Sequence, residues 1–199
     1  MPGALMIKRV LRGLLGDVAV WRIFRWDADR VTGGTRHTGV TCRAIDTDEV
    51  MALPDPLLAD QAWYGGAGSY GFAGLMDNGA VAGLCFYWHS TRYSLSRFWP
   101  LRDGEAMLMQ IVTTPAARGR GVARSLIQHS AQLMAAKGLR TLWARVWITN
   151  APSSAAFAAA GWREVAWVLE INPLRRPEPW RIALRRPGAV AKSGLSSSP

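Results

Sequence analysis

Between Leu139 and Ile148 the chain alternates strictly: Leu142, Ala144, Val146 and Ile148 fall on one side, Trp143, Arg145 and Trp147 on the other. A period of two predicts a strand. Upstream, the apolar run Met107 to Val112 has strand length, and Thr113, Thr114 and Pro115 end it, because Pro115 has no N–H for a ladder. From about Gly121 the period lengthens. Val122, Leu126, Leu133 and Met134 then share one helical face, and the helix stops where Gly138 follows Lys137. A second helix is predicted from Asn150, a good cap, with Pro152 in its first turn, alanines in its body and Gly161 as its stop.

The flanks complete an alternating α/β pattern. Residues 19–27 (AVWRIFRWD) read as a strand, residues 31–39 as a loop, and Val40 to Ile45 as the first core strand. A helical segment is expected from about Thr47, where acidic and hydroxyl residues cluster. Asp77-Asn78-Gly79 sits between two apolar runs as a hairpin turn, and a polar, aromatic connection follows from Ser90 to Glu105. Residues 162–171 and 180–186 read as closing strands. Near the N-terminus Ile7, Leu11, Leu14, Leu15 and Val18 lie at helical spacing among basic residues, which predicts a helix packed on the domain or on a dimer mate, or lying on an anionic membrane surface. The expected division is an N-terminal extension over 1–38, one α/β domain over 39–186 and a flexible tail over 187–199.

Composition narrows the class. The chain has 199 residues with 49% hydrophobic and 19% charged, enough for one well-buried core. No apolar run reaches the roughly 20 residues of a membrane span, and "ALMI" before Lys8 is too short for a signal peptide, so a cytoplasmic protein is expected. Cys42 and Cys85 are read as reduced and structural. His37, His89 and His129 form no ligand cluster, so no metal is expected. The net charge of +10 favours anionic ligands, but the basic residues are scattered pairs without a nucleic-acid motif, which argues against nucleic acid as partner.

The strand-to-helix junction Val112 to Leu126 carries the chemistry. Gly119 and Gly121 uncover backbone amides, the first N–H groups of the helix lack internal partners, and Arg118, Arg120 and Arg124 add positive charge: a phosphate grip. A dinucleotide fingerprint fails at Arg124, where a third glycine belongs. A Walker loop fails for want of a lysine after Gly121. What fits is R-x-x-G-x-[GA], with Arg118, Gly121 and Ala123 in place, which resembles the coenzyme A pyrophosphate loop of the GCN5-related N-acetyltransferases. In that family N-x-x-[AS]-x-x-x-Y-x-x-x-G-[FY] commonly follows, and Asn150, Ser153, Gly161 and Trp162 match it, with Phe157 in place of the tyrosine.

The resemblance covers about residues 40–185. It implies a mixed, mostly antiparallel sheet flanked by helices, and transfer of an acetyl or other short acyl group from acetyl-coenzyme A to a primary amine by direct attack in a ternary complex. The implied acceptors are a small-molecule amine, an amino sugar or a protein amine. The implied coenzyme contacts are Ile111, Val112 and Thr113 along the strand, Arg118 through Arg124 (Arg118, Gly119, Arg120, Gly121, Val122, Ala123, Arg124) around the pyrophosphate, and Asn150, Ser153 and Phe157 on the second helix. Glu105 is the first choice of general base, ahead of Asp103 and His89. The family's thiolate acid is not carried over, because Phe157 has no hydroxyl; Ser153 and Ser154 are read as cap residues. Trp88 and Trp99, with Trp143 and Trp147, are candidates to line the acceptor cleft. Two other readings use the same residues: a coenzyme-binding sensor without catalysis, and a basic adaptor for nucleic acid or membrane.

Overall fold

A computed structural model describes residues 17–30, 39–94, 98–173 and 178–185. The stripe from Ile7 to Leu15 and the tail after residue 185 therefore lie outside the described residues. Eight strands form a single sheet: β1 (Asp17–Asp27), β2 (Val40–Ile45), β3 (Ser69–Met76), β4 (Val81–His89), β5 (Glu105–Thr113), β6 (Thr141–Trp147), β7 (Arg163–Asn172) and β8 (Trp180–Arg185), in the order β2-β3-β4-β5-β6-β1-β7-β8. Every neighbouring pair is antiparallel except β5 and β6. The predicted strand at 19–27 is β1. The sequence placed it in an extension before the core; in the sheet it lies between β6 and β7, with Ile23 and Phe24 buried.

Three of the helices form where local signals predict them. Helix α1 (Thr47–Met51) is closed by a capping box, Asp46 accepting from the Glu49 N–H and Glu49 accepting from the Asp46 N–H. A short α2 (Pro56–Ala59) follows, then α3 (Ser90–Tyr93) inside the predicted polar connection. Helix α4 (Val122–Ala136) and helix α5 (Ala151–Ala159) are the two read from periodicity and capping. Val122, Leu126 and Met134 are buried as the helical spacing requires.

The two faces of the sheet are covered differently. Under α4 and α5 lie Leu108, Leu142, Ala144 and Val146, packed against Leu126, Ile127, Met134 and Phe157. On the opposite face Ile45, Val50, Leu58, Leu84 and Phe86 pack under α1 and α2, while Ile23, Phe98, Met107 and Trp143 gather with Trp21, Trp88, Trp99 and Met109. Burying side chains of this size contributes about 1.5–3 kcal/mol each. Neither cysteine is in a disulfide: Cys85 is buried beside Ser130 and Tyr87, and burial pushes its thiol and the Tyr87 hydroxyl up.

Candidate functional site

The parallel pair β5 and β6 comes apart. Their register runs from Glu105↔Thr141 to Leu108↔Ala144 and ends there, although β5 continues to Thr113 and β6 to Trp147. A wedge opens between them and leaves strand backbone without a ladder partner on that side. Where the wedge begins, β5 carries a bulge: Phe86 pairs with Gln110 and Tyr87 with Leu108, so Met109 is the extra residue and its neighbourhood leaves the regular ladder.

Pro115 ends β5 as the sequence requires, and a single 3-10 turn leads to Arg118. Gly119 (φ 75°) and Gly121 (φ 79°) then take the left-handed conformation that other residues adopt only at a cost. Gly121 is the N-cap of α4, and the first helical bond closes from the Ser125 N–H to the Gly121 carbonyl at 3.0 Å. The N–H groups of Val122, Ala123 and Arg124 are left for an external acceptor at the positive end of the helix. The amides of Arg118 and Arg120 are occupied in turns with Pro115 and Ala117, at 3.3 and 3.4 Å. The anion grip is therefore shorter than the full run from Arg118.

A cavity of about 440 Å³ joins this helix end to the wedge. Ile111 and Thr113 form its β5 wall; Arg118, Gly119, Gly121, Val122, Ala123 and Arg124 its end at the α4 N-terminus; Ser153 and Phe157 its α5 wall. These are ten of the predicted coenzyme residues, brought together from three elements. Ala117, Ile127, Pro152 and Ala156 also line it and were missed, although Ile127 and Ala156 follow Ala123 and Pro152 by one helical turn, a signal the sequence contained.

Three predicted contacts are not at the cavity. Val112 faces the other side of the sheet, packed near Leu84 and Phe86, because β5 alternates. Arg120 borders a separate depression with Asp77 and Asn78. Asn150 is exposed and its side-chain oxygen accepts from the Ser153 N–H at 3.1 Å, so it caps α5.

Glu105 is likewise placed elsewhere. It opens β5 four residues before the Met109 bulge, about 13 Å along an extended strand, and it does not line the cavity. One carboxylate oxygen accepts from the Trp143 indole at 2.9 Å and from the Arg102 N–H at 3.1 Å, in the region where β5 and β6 are still paired. Among the described residues no carboxylate lines the cavity. Asp103 is exposed in the turn before β5, and the His89 ring faces Ser90 and Thr91 at the end of β4. Phe157, at the α5 wall of the cavity, is 2% exposed and held by a stacked contact with Phe24 (5.3 Å) and an edge contact with Trp162 (5.1 Å). Among the described residues no group of three His, Cys, Asp or Glu comes together, and no helix is long and apolar enough to cross a membrane.

The face of the wedge away from α4 and α5 is aromatic. Trp21 meets Trp147 edge-on at 4.8 Å and Phe98 at 5.9 Å, and the Arg145 guanidinium lies over both Trp21 and Phe98. Trp88 stands near Tyr64 and Trp63, its indole donating to the Tyr64 carbonyl at 2.8 Å, and the Arg92 guanidinium covers its ring. Trp143 is core and stacks obliquely with half-buried Trp99; Trp147 is 41% exposed. Burial pushes the Tyr64 hydroxyl up, and the Arg145 charge opposes this.

The profile of the acetyltransferase (GNAT) family matches residues 41–162. Among solved structures, a GCN5-related N-acetyltransferase from Sphaerobacter thermophilus superposes with a TM-score of 0.53 at 14% identity, covering 94% of this chain and 57% of its own. One from Kribbella flavida gives 0.53 at 13%, covering 93% and 64%. A tandem GNAT protein from the clavulanic acid biosynthesis pathway gives 0.52 at 16%, covering 93% and 57%. At such identities the likeness is one of fold, and the chain spans less than two thirds of these neighbours' length. No curated protein matches the sequence.

Proposed function

The chain belongs to the acetyltransferase (GNAT) family, and from that premise we propose that it transfers an acetyl or other short acyl group from acetyl-coenzyme A to a primary amine, by direct attack in a ternary complex. The observation that carries the proposal is the cavity joining the N-terminus of α4 to the wedge. A molecule with a pyrophosphate at one end and a slender amide-bearing arm at the other suits both parts.

The Val122, Ala123 and Arg124 amides hold the pyrophosphate, with Arg118 and Arg124 supplying charge. Ile111 and Thr113 offer the β5 edge to the arm's amides. At the Met109 bulge a backbone N–H released from the ladder meets the thioester oxygen and stabilises the tetrahedral intermediate. The amine nitrogen forms its bond to the carbonyl carbon, the carbon–sulfur bond breaks, and the pair leaves on sulfur. The nitrogen's surplus proton passes to water, and water protonates the thiolate, whose ordinary thiol pKa makes a dedicated acid dispensable.

Two observations favour a second reading, a coenzyme-binding sensor: Phe157 has no proton to give, and among the described residues no carboxylate lines the cavity. Calorimetric titration with acetyl-coenzyme A, followed by free-thiol release with a pooled amine library, separates the two. Binding with amine-dependent release supports transfer. Binding without it supports the sensor, and absence of binding overturns both.

A further inference from the structure

We propose that the acceptor is an amine carrying a carboxylate on an apolar or aromatic body, and that Arg145 recognises that carboxylate; the proposal rests on the acyl-transfer reading above.

Arg145 follows Ala144, the last β6 residue paired with β5, so it stands where the wedge opens. Leu142, Ala144 and Val146 pack beneath α4 and α5, and strand alternation puts Arg145 with Trp143 on the other face. An amine approaches the thioester from that face, since the coenzyme fills the cavity on the helix side. The guanidinium lies 5.0 Å from the Trp21 ring and 4.7 Å from Phe98. Both rings lie within 5.0 Å of it, and among the described residues its N–H groups have no hydrogen-bond partner, so they can take a carboxylate in bidentate fashion.

The charge at this point is unusual for the sheet. Arg22 pairs with Glu164, Arg25 and Arg163 with Asp27, and Arg181 with Glu170. Arg145 is half-buried, yet among the described residues it has no carboxylate partner. Beside it the Trp21 indole N–H is buried and, among the described residues, has no acceptor. Unpaired buried donors are costly, and an incoming anion would satisfy a charge and a donor together. The same cation repels a polyamine and favours the neutral form of a nearby amine, the form that attacks. Trp21, Trp147 and Phe98 supply the apolar wall.

The test uses the full chain saturated with coenzyme A and three product-like probes: N-acetylphenylalanine, which has the carboxylate, N-acetylphenethylamine, which has the same aromatic body without it, and N-acetylspermidine, a polyamine. By calorimetry the first should bind at least about 10-fold tighter than the second, as expected for one charge-assisted contact. Arg145→Gln should abolish the difference and Arg145→Lys retain part of it, both keeping wild-type acetyl-coenzyme A affinity, which also reports that the variants fold. Equal binding of the first two, no binding of either, tighter binding of N-acetylspermidine, or a preference that survives Arg145→Gln would overturn the proposal. Failure of the wild-type chain to bind acetyl-coenzyme A would overturn the acyl-transfer reading instead.

Discussion

Replacing Gly121 by alanine separates the cost of a torsion from the loss of a ligand. Gly121 caps α4 at φ 79°, and a Cβ built there meets nothing within 4 Å, so the folded chain has room for the methyl group. What remains is the left-handed backbone, worth about 1–2 kcal/mol against alanine. Gly138, after α4, has φ 89° and the same empty surroundings, so Gly138→Ala should cost a similar amount in urea unfolding. The two differ in ligand binding. Gly121 borders the cavity beside the free amides of Val122, Ala123 and Arg124, and a shift of its torsion or an added methyl group displaces an anion from them. One hydrogen bond to a charged acceptor is worth about 1.5–3 kcal/mol, so losing one weakens acetyl-coenzyme A roughly 10- to 150-fold. Calorimetry on both variants, under conditions where each is folded, should show this loss for Gly121→Ala and less than about 2-fold for Gly138→Ala. Equal affinities in the two variants would refute the assignment of the α4 N-terminus as the pyrophosphate site.

Glu105→Gln tests the general base. Its place at the paired end of β5 predicts kcat/KM within a few-fold of wild type and an unchanged pH profile, with about 1–2 kcal/mol lost in unfolding as the Trp143 and Arg102 donors lose a charged acceptor; a drop of 100-fold or more would restore it as the base. Asn150→Ala should cost about 1 kcal/mol of stability through the lost cap while leaving acetyl-coenzyme A affinity within about 2-fold, because Asn150 is not at the cavity. Burial pushes the Cys42 thiol from 9.0 to about 12, so the native state holds the neutral form. Its contribution to stability is full below pH 9, the unfolded value, and is lost as pH rises toward 12, so the urea midpoint should fall over that window and fall less steeply in Cys42→Ala.

The elements were legible in the sequence wherever one local rule sufficed. The alternation at Leu142 to Val146, the proline after Thr113, the cap at Asn150 and the hairpin at Asp77-Asn78-Gly79 each fix a neighbour's conformation through bonds or sterics within a few residues. The glycine spacing at Gly119 and Gly121 was legible for the same reason, since left-handed residues before a helix are a local requirement.

Placement was another matter, because it depends on which strands pair and where pairing stops. β1 reads as an ordinary strand, yet its position between β6 and β7 follows from contacts with residues more than a hundred positions away. Glu105 sits near the motif in sequence but opens β5 at the end where β6 is still paired, and period-two alternation carries Val112 to the wrong face. The wedge itself has no sequence signature: the ladder ends at Leu108↔Ala144 while both strands run on. Local chemistry specified the glycine and arginine turn that opens α4; the divergence of two strands, a matter of long-range pairing, decided which residues line the opening beside it and set Arg145 against Trp21 and Phe98.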